Sequence, residues 1–336
     1  MKGIYISVML AALLVALFAV CMVAGAVDIP VNEVMRILTG RGSDRPSWEY
    51  IVQESRLPQA ITATLCGGAL SVSGLLLQTV FHNPLAGPSI FGINSGASLG
   101  VALVLLLMGG SVSAAGVELS GFIAILTAAF VGAMLVLLLI LGAATVVRNH
   151  VMLLIVGIMV GYLSNSAISL LNFFATEEGV QSYMVWGMGN FGGVSMKVMP
   201  YFATVSLSCI AASLLFIKPL NALLLGEEYA ENLGFNTLHL RNWMLLLTGV
   251  LAAITTAFCG PIAFIGLAVP HVARMMLGTD NHKPLLPVTI LTGSCVALLC
   301  NIICVLPGDL GVIPLNAVTP VMGAPVIIYV IARRRG

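Results

Sequence analysis

Ten long apolar runs constrain the fold of this 336-residue chain more than any other feature. A helix needs about 20 apolar residues to cross a hydrocarbon core of about 30 Å, and most of the runs approach that length. Only 8% of the residues are charged, whereas soluble domains carry about 25%. The sequence therefore predicts an all-α, polytopic membrane protein with about ten transmembrane helices in one domain, residues 1–336. The apolar runs cover residues 4–27, 56–80, 92–110, 118–146, 151–174, 198–217, 242–258, 262–277, 285–305 and 313–332.

The first run has an alternative interpretation as a cleaved signal peptide. Lys2 precedes it, and Ala24-Gly25-Ala26 resembles a signal-peptidase site. The apolar region of a signal peptide spans only about 7 to 15 residues, and this run is longer. We therefore interpret it as a retained first helix.

The second run opens with Arg56-Leu57-Pro58. Proline is tolerated in the first turn of a helix, so this tripeptide predicts a helix start. Residues 66–77 are apolar but rich in Gly, Ala and Ser, the residue types that let helix backbones approach closely in lipid. The run is thus expected to be a closely packed transmembrane helix.

The basic residues of the short loops predict the orientation. With Lys2 in the cytoplasm and ten crossings, both termini are cytoplasmic. The same alternation places a further set of basic residues there, namely Arg148, Lys218, Arg241, Arg274, Lys283 and Arg333–Arg335. The loop 28–56 is the exception, because it is predicted to be external and carries four arginines and five acids. It is either a docking surface for an external protein or a solvated loop.

Two further polar segments separate apolar runs. Residues 175–197 are aromatic and Gly-rich, and they predict a short external interfacial helix with Tyr183, Trp186 and Phe191 at headgroup level. Residues 218–241 form a cytoplasmic loop in which a short acidic helix is predicted from Glu227 to Gly234. Such a helix fits a groove on a soluble partner, although an ordinary connector has the same composition.

The sequence lacks the residue patterns that several kinds of function require. No lysine completes a phosphate-binding G-x-x-x-x-G-K-[ST] motif, so an ATPase is not expected. The apolar runs contain no acids inside them, which argues against a proton-coupled carrier. The histidines and cysteines have no metal-ligand spacing, and no metal site is predicted. There is no basic patch of the kind that binds nucleic acid, and no cluster of catalytic side chains predicts an intramembrane enzyme.

Motifs along nearly the whole chain resemble the FecCD-type permeases, the membrane subunits of ABC importers for iron-siderophores, haem and cobalamin. The matching stretches are RLP (56–58), NPLA (83–86), LGE (225–227), GPIAFIGL (260–267), VPH (269–271) and GAP (323–325). The resemblance implies a type II ABC importer permease, a multi-pass protein of the cytoplasmic (inner) membrane. Its partners would be a second copy of the chain, two ATP-binding cassette subunits and an extracytoplasmic substrate-binding protein. No cofactor is expected on this chain, since ATP is used by the partner subunit.

The resemblance also assigns roles to residues. The residues that it assigns to coupling with the ATPase are Gly226, Glu227, Ala230, Leu233 and Gly234. The gate and pathway residues are Asn83, Pro84, Leu85, Thr319 and Gly323. Docking of the binding protein involves Arg56, with Arg41 and Arg45 as additions. Three positions depart from the family pattern in the docking and pathway regions, namely Gln59, Val305 and Asn316.

The expected function is import by alternating access, powered by a separate ATPase. Siderophore, haem and cobalamin permeases share these motifs, so the substrate stays open, with a slight preference for an iron chelate. The alternatives are an ATP-independent facilitator or an ion-coupled carrier, and an intramembrane enzyme.

Overall fold

The computed structural model describes residues 2–109, 111–114, 117–147, 149–308 and 311–333. Three arginines used for the predicted orientation, Arg148, Arg334 and Arg335, lie outside these residues. The described part of the chain forms fifteen α-helices and one short antiparallel hairpin, so the predicted all-α class is confirmed apart from that hairpin. The helices are α1 Lys2–Val23, α2 Val31–Leu38, α3 Pro46–Tyr50, α4 Leu57–Val80, α5 Ile93–Ala102, α6 Phe122–Val146, α7 His150–Phe174, α8 Glu177–Gly187, α9 Met199–Leu214, α10 Ile217–Leu223, α11 Glu227–Asn232, α12 Thr237–Cys259, α13 Ile265–Leu277, α14 His282–Val305 and α15 Leu315–Arg333. The hairpin strands are β1 Ser111–Ala114 and β2 Val117–Ser120, with Ser111 opposite Ser120.

The apolar helices fall where the apolar runs predict them. Among the described residues, six helical segments are long and apolar enough to cross a membrane: Lys2–Val23, Pro46–Val80, Phe122–Val146, His150–Phe174, Thr237–Cys259 and His282–Val305. The helices α9 and α10 form a pair bent by 57° that together meet the same criterion. Three shorter apolar helical segments occupy the remaining runs: Ile93–Leu107, Ile265–Leu277 and Leu315–Val330. The polytopic character is thus confirmed, whereas the count of ten crossings stays a prediction.

The helical backbone that leads into α4 begins at Pro46. Helix α3 passes into a π-helical turn, Ile51–Arg56, and that turn passes directly into α4. Pro58 has no N–H to donate, and its ring crowds the carbonyl one turn earlier, which a wider π-turn relieves. The α-helix α4 begins at Leu57, as Arg56-Leu57-Pro58 predicts, but the helical backbone before it is continuous from Pro46. Pro46 lies in the first turn of that longer helical segment.

The residues group into two compact units. Unit 1 comprises Met1–Ser71, Asn190–Ile210 and Ile262–Gly336, and unit 2 comprises Val72–Gly189 and Ala211–Pro261. One boundary between the units falls inside α4 and another falls inside α9. The single domain expected over residues 1–336 stays a prediction.

Glycines set the closest helix approaches within each unit. In unit 1, a Cβ added at Gly67 of α4 would collide with the carbonyl oxygen of Gly293 of α14. In unit 2, a Cβ added at Gly100 of α5 would collide with the carbonyl oxygen of Ala128 of α6. Backbones approach this closely only where side chains are small. The close packing predicted for the small-residue stretch of α4 is confirmed at Gly67.

The polar segment 175–197 contains the predicted short helix. Helix α8 begins after Thr176, whose hydroxyl accepts a hydrogen bond from the Gly179 N–H at 3.3 Å. The rings of Tyr183 and Trp186 are stacked with centroids 6.3 Å apart. Phe191 is only 2% exposed, so its ring is enclosed by protein, and its headgroup level stays a prediction.

Candidate functional site

The predicted acidic helix forms as α11 and is bounded by two glycines in conformations that L-residues avoid. Gly226 has φ 113° and Gly234 has φ 87°. At the end of α11 the Gly234 N–H donates to the Glu231 carbonyl at 2.8 Å, and the Phe235 N–H donates to the Ala230 carbonyl at 3.1 Å. This pair of bonds is a Schellman motif, which needs a left-handed residue at the glycine position. The short helix predicted from Glu227 to Gly234 is confirmed.

Helix α11 has one buried position and an exposed face. Ala230 is fully buried, whereas Tyr229 and Leu233 are 48% and 55% exposed. The two large side chains are four residues apart and so lie on the same side of the helix. Glu228 and Glu231 are also exposed. The outer surface of α11 therefore combines a small apolar patch with acidic groups.

The acidic side chains of α11 also hold the helix to its neighbours in unit 2. Glu227 Oε1 lies 2.7 Å from His150 Nε2 at the start of α7. The Thr237 hydroxyl donates to Glu231 Oε1 at 2.7 Å. Arg241 of α12 donates from Nη2 to the Ala144 carbonyl at the end of α6. These side chains line a cavity of about 240 Å³, whose walls are His150, Glu227, Glu231, Thr237, Leu238 and Arg241.

The predicted gate turn, residues 83–88, begins three residues after Val80, the last residue of α4. The Asn83 N–H donates to the Gln78 carbonyl at 3.2 Å, and the His82 N–H donates to the Thr79 carbonyl at 3.3 Å. This is a second Schellman motif, with His82 at φ 45° in the place usually held by glycine. The Asn83 side chain then accepts from the Leu85 N–H at 2.9 Å, an Asx turn that fixes the backbone around Pro84. Leu85 is 40% exposed, so it lies at the surface of this unit.

His82 links the gate turn to the segment that carries α11. Its Nε2 lies 2.9 Å from the carbonyl oxygen of Leu223, the last residue of α10. Within unit 2 the structure also brings His82, His150 and Glu227 together, with one ligating atom of each within 4.8 Å of the others. Sequence reasoning missed this cluster because its members are far apart in the chain and have no i, i+4 spacing. No local signal could have found it.

The pathway residues Thr319 and Gly323 lie in α15, within unit 1. Thr319 is 2% exposed. A Cβ added at Gly323 would lie 2.7 Å from the Cβ of Phe264, which has φ 67° just before α13. The Asn316 side chain accepts from the Ala263 N–H at 3.3 Å in the same turn. The departure at Asn316 therefore supplies a hydrogen bond to an irregular turn, and the pathway role of its neighbours stays a prediction.

The arginines assigned to docking occupy two different environments in unit 1. Arg41 and Arg45 are exposed, and the Arg45 guanidinium lies 4.5 Å from the centre of the Trp48 ring. Arg56 is only 5% exposed. Its Nη1 donates to the carbonyls of Met22 and Val23 at 2.9 and 2.7 Å, and its Nη2 donates to the Val27 carbonyl. Arg56 therefore caps the C-terminus of α1 and does not present its charge at the surface.

The loop around α2 has its own polar network. Arg36 Nη1 lies 2.8 Å from Glu33 Oε1, and the Ser43 hydroxyl donates to Glu33 Oε2 at 2.7 Å. The hydrogen bond from Ser43, together with Arg36, lowers the pKa of Glu33 below its ordinary value. The predicted loop 28–56 is thus largely helical and internally bonded.

The chain is similar to known proteins both in sequence and in structure. The profile of the FecCD transport family matches residues 13–333. The vitamin B12 import system permease protein BtuC of Citrobacter koseri is 34% identical over 293 residues, which cover 85% of this chain and 84% of that protein. The BtuC protein of Klebsiella pneumoniae is 33% identical, covering 86% of this chain and 84% of that protein. A solved inward-facing structure of a metal-chelate type ABC transporter has a TM-score of 0.84 at 28% identity, over 98% of this chain and 99% of that chain. Because the family profile covers nearly the whole chain and the permeases share a third of their residues with it, the chain belongs to the FecCD transport family.

Proposed function

We propose that this chain is the membrane-spanning permease of an ATP-driven importer for a metal chelate, either cobalamin or an iron chelate. Relatives named as vitamin B12 permeases and a fold neighbour named as a metal-chelate transporter support this substrate class. The chain itself has no phosphate-binding motif, so the ATP is hydrolysed by a separate subunit. Two copies of the chain, two ATPase subunits and an external binding protein make up the proposed complex. The proposed location is the cytoplasmic (inner) membrane, with both termini in the cytoplasm.

The main structural support for the proposal is the helix α11. It is a short helix with an exposed apolar pair, Tyr229 and Leu233, and it is bounded by the left-handed glycines Gly226 and Gly234. An exposed helix with apolar anchors at i and i+4 is suited to bind in a groove of a partner protein. We assign α11 the role of the coupling helix that enters the ATPase subunit.

The bonds around α11 give a physical route for that coupling inside unit 2. Glu227 contacts His150 at the start of α7, and the segment before α11 accepts a hydrogen bond from His82 at Leu223. A displacement of α11 therefore alters the environment of the residue that precedes the gate turn. In the proposed cycle, ATP binding by the partners moves α11, and the gate turn around Asn83 responds.

Docking of the external binding protein is assigned to Arg41 and Arg45, whose charges are exposed. Arg56 contributes by holding the loop against the end of α1. Exposed charges of this kind mainly accelerate encounter and fix orientation.

Transport by the reconstituted complex tests the proposal. The chain is placed in liposomes with its ATPase and binding protein, and uptake of cobalamin, a ferric siderophore and haem is measured with and without ATP. We expect ATP-dependent accumulation of one chelate class. Accumulation by the chain alone without ATP would instead support a facilitator, and collapse of that accumulation by an uncoupler would identify an ion-coupled carrier.

A further inference from the structure

We propose that His82, His150 and Glu227 form a binding site for a divalent transition-metal ion such as Zn²⁺. One ligating atom of each residue lies within 4.8 Å of the other two. Two imidazole nitrogens and a carboxylate oxygen are a ligand set typical of Zn²⁺ and of neighbouring first-row divalent ions. Such an ion would be bound by the protein itself and is distinct from the transported chelate.

The hydrogen bond of His82 prepares its ring for a metal. A carbonyl oxygen can only accept, so the 2.9 Å contact between Nε2 and the Leu223 carbonyl places the proton of the neutral ring on Nε2. The lone pair of the neutral ring is then on Nδ1, the nitrogen that would bind the ion. Metal-binding histidines commonly donate their other ring N–H to a backbone carbonyl in this way.

His150 and Glu227 supply the other two ligands. They already meet at 2.7 Å through Nε2 and Oε1. The Glu227 side chain is 46% exposed, so it has freedom to rotate and admit an ion between the two atoms. Zn²⁺ holds nitrogen and oxygen ligands at about 2.0–2.2 Å, which a small rotation of this side chain can accommodate. The exposed side of the cluster leaves room for water as a further ligand.

The charges around the cluster favour a cation. Glu227 and Glu231 line the cavity beside the cluster, opposed by the single guanidinium of Arg241. Arg241 donates one N–H to the Ala144 carbonyl. The cavity walls therefore carry two carboxylates against one fixed positive charge, and a bound dication is attracted.

The ion would join three segments of unit 2: the end of α4 before the gate turn, the start of α7 and the first residue of α11. One consequence rests on the proposed function, namely that an ion at this site restrains the coupling helix. Zn²⁺ is then expected to slow transport-linked ATP hydrolysis. Metal binding itself does not depend on that role.

Binding is tested on the full-length chain in detergent with Co²⁺, whose visible absorption reports imidazole and carboxylate ligands, and with Zn²⁺ as competitor. The ligand variants are His82→Asn, which keeps a residue that tolerates positive φ, and Glu227→Gln. The control is His239→Asn, since His239 is an exposed histidine in the first turn of α12. We expect one Co²⁺ per chain, displaced by Zn²⁺, with Kd weakened by more than about tenfold in each ligand variant and unchanged in the control.

Equal Co²⁺ affinity in the unaltered chain and in both ligand variants would overturn the proposed site. A loss of Co²⁺ affinity in His239→Asn as large as that in the ligand variants would also overturn it. A second readout separates binding from coupling: the ratio of ATP hydrolysis with and without Zn²⁺ in the reconstituted complex. A ratio near one despite tight Co²⁺ binding would refute the restraint on α11 and leave the metal site standing. A ratio well below one in the unaltered complex that returns towards one in His82→Asn supports both.

Discussion

The segment around α2 and the helix α11 are both short, polar and helical, yet they are held by different means. Val34 and Ile37 of α2 are each 2% exposed, and Arg56 ties the loop to the carbonyls at the end of α1. Helix α11 buries only Ala230 and is bounded by Gly226 and Gly234. Burial and a buried guanidinium make the first region a fixed platform, suited to docking. The second region is held mainly by polar contacts of Glu227 and Glu231 and buries little apolar surface, so it is easier to displace, as a coupling element requires.

The largest effect is expected from Arg56→Met, which tests whether the α2 platform is fixed by capping. The substitution leaves the carbonyls of Met22, Val23 and Val27 without their donor. Lost hydrogen bonds to a charged group are expected to cost about 3 kcal/mol of stability, seen as a lower thermal unfolding temperature in detergent. Arg41→Met is the control, because Arg41 is exposed. Equal unfolding temperatures for the two variants would show that Arg56 is not a structural cap.

The exposed face of α11 is tested by Leu233→Asp. Leu233 is 55% exposed, so folding should be unaffected. In the proposed complex the ATPase subunit covers Leu233. Its replacement is therefore expected to weaken association with the ATPase subunit by about 2 kcal/mol, roughly 30-fold in Kd. The measurement is titration of the detergent-solubilised chain with the ATPase. Unchanged affinity together with unchanged ATP hydrolysis would remove α11 from the interface.

A smaller effect is expected from Gly234→Ala, which tests the glycine boundary. A Cβ at Gly234 meets no atom within 4 Å, so the cost arises from φ +87° alone. Left-handed backbone costs a non-glycine residue about 1–2 kcal/mol, which frays the end of α11 and lowers transport-linked ATP hydrolysis several-fold. The matched control is Gly142→Ala, since an added Cβ there also meets nothing and Gly142 lies within α6. Equal hydrolysis rates for the two variants would argue against a requirement for this boundary.

The smallest effect is expected from reversing Arg41 and Arg45 to glutamate. Both side chains are exposed, so the charge reversal should alter encounter with the binding protein and not stability. The association rate constant is expected to fall by about tenfold at low salt and to approach the unaltered value at high salt. Lys283→Glu serves as the control on the predicted cytoplasmic side. If the association rate is the same with and without the Arg41 and Arg45 reversals, and does not depend on salt, the binding protein does not dock at this loop.

Local features of the chain were predictable because local physics fixes them. Apolar runs of bilayer length became apolar helices, since backbone groups in lipid must be satisfied within a helix. The boundaries of α11 followed from Gly226 and Gly234, because only glycine adopts these backbone angles without strain.

Features that join distant parts of the chain were not predictable. The motif at Pro58 correctly indicated the start of α4, but it did not indicate that α3 and a π-turn lead into it without a break from Pro46. Arg56 was expected to contact the binding protein because of the family resemblance, and only the carbonyls at the end of α1 explain its burial. The aromatic character of Phe191 predicted a position at headgroup level, but it did not indicate that the ring is only 2% exposed.

The sequence by itself therefore determined the membrane class, the positions of the apolar helices, the short acidic helix and the family motifs. Each of these depends on composition or on residues close together in the chain. Only the tertiary structure decided that Arg56 caps α1 and that His82, His150 and Glu227 meet. Those contacts depend on how separate helices pack, and hydrophobic periodicity does not specify which polar side chains the packing brings together.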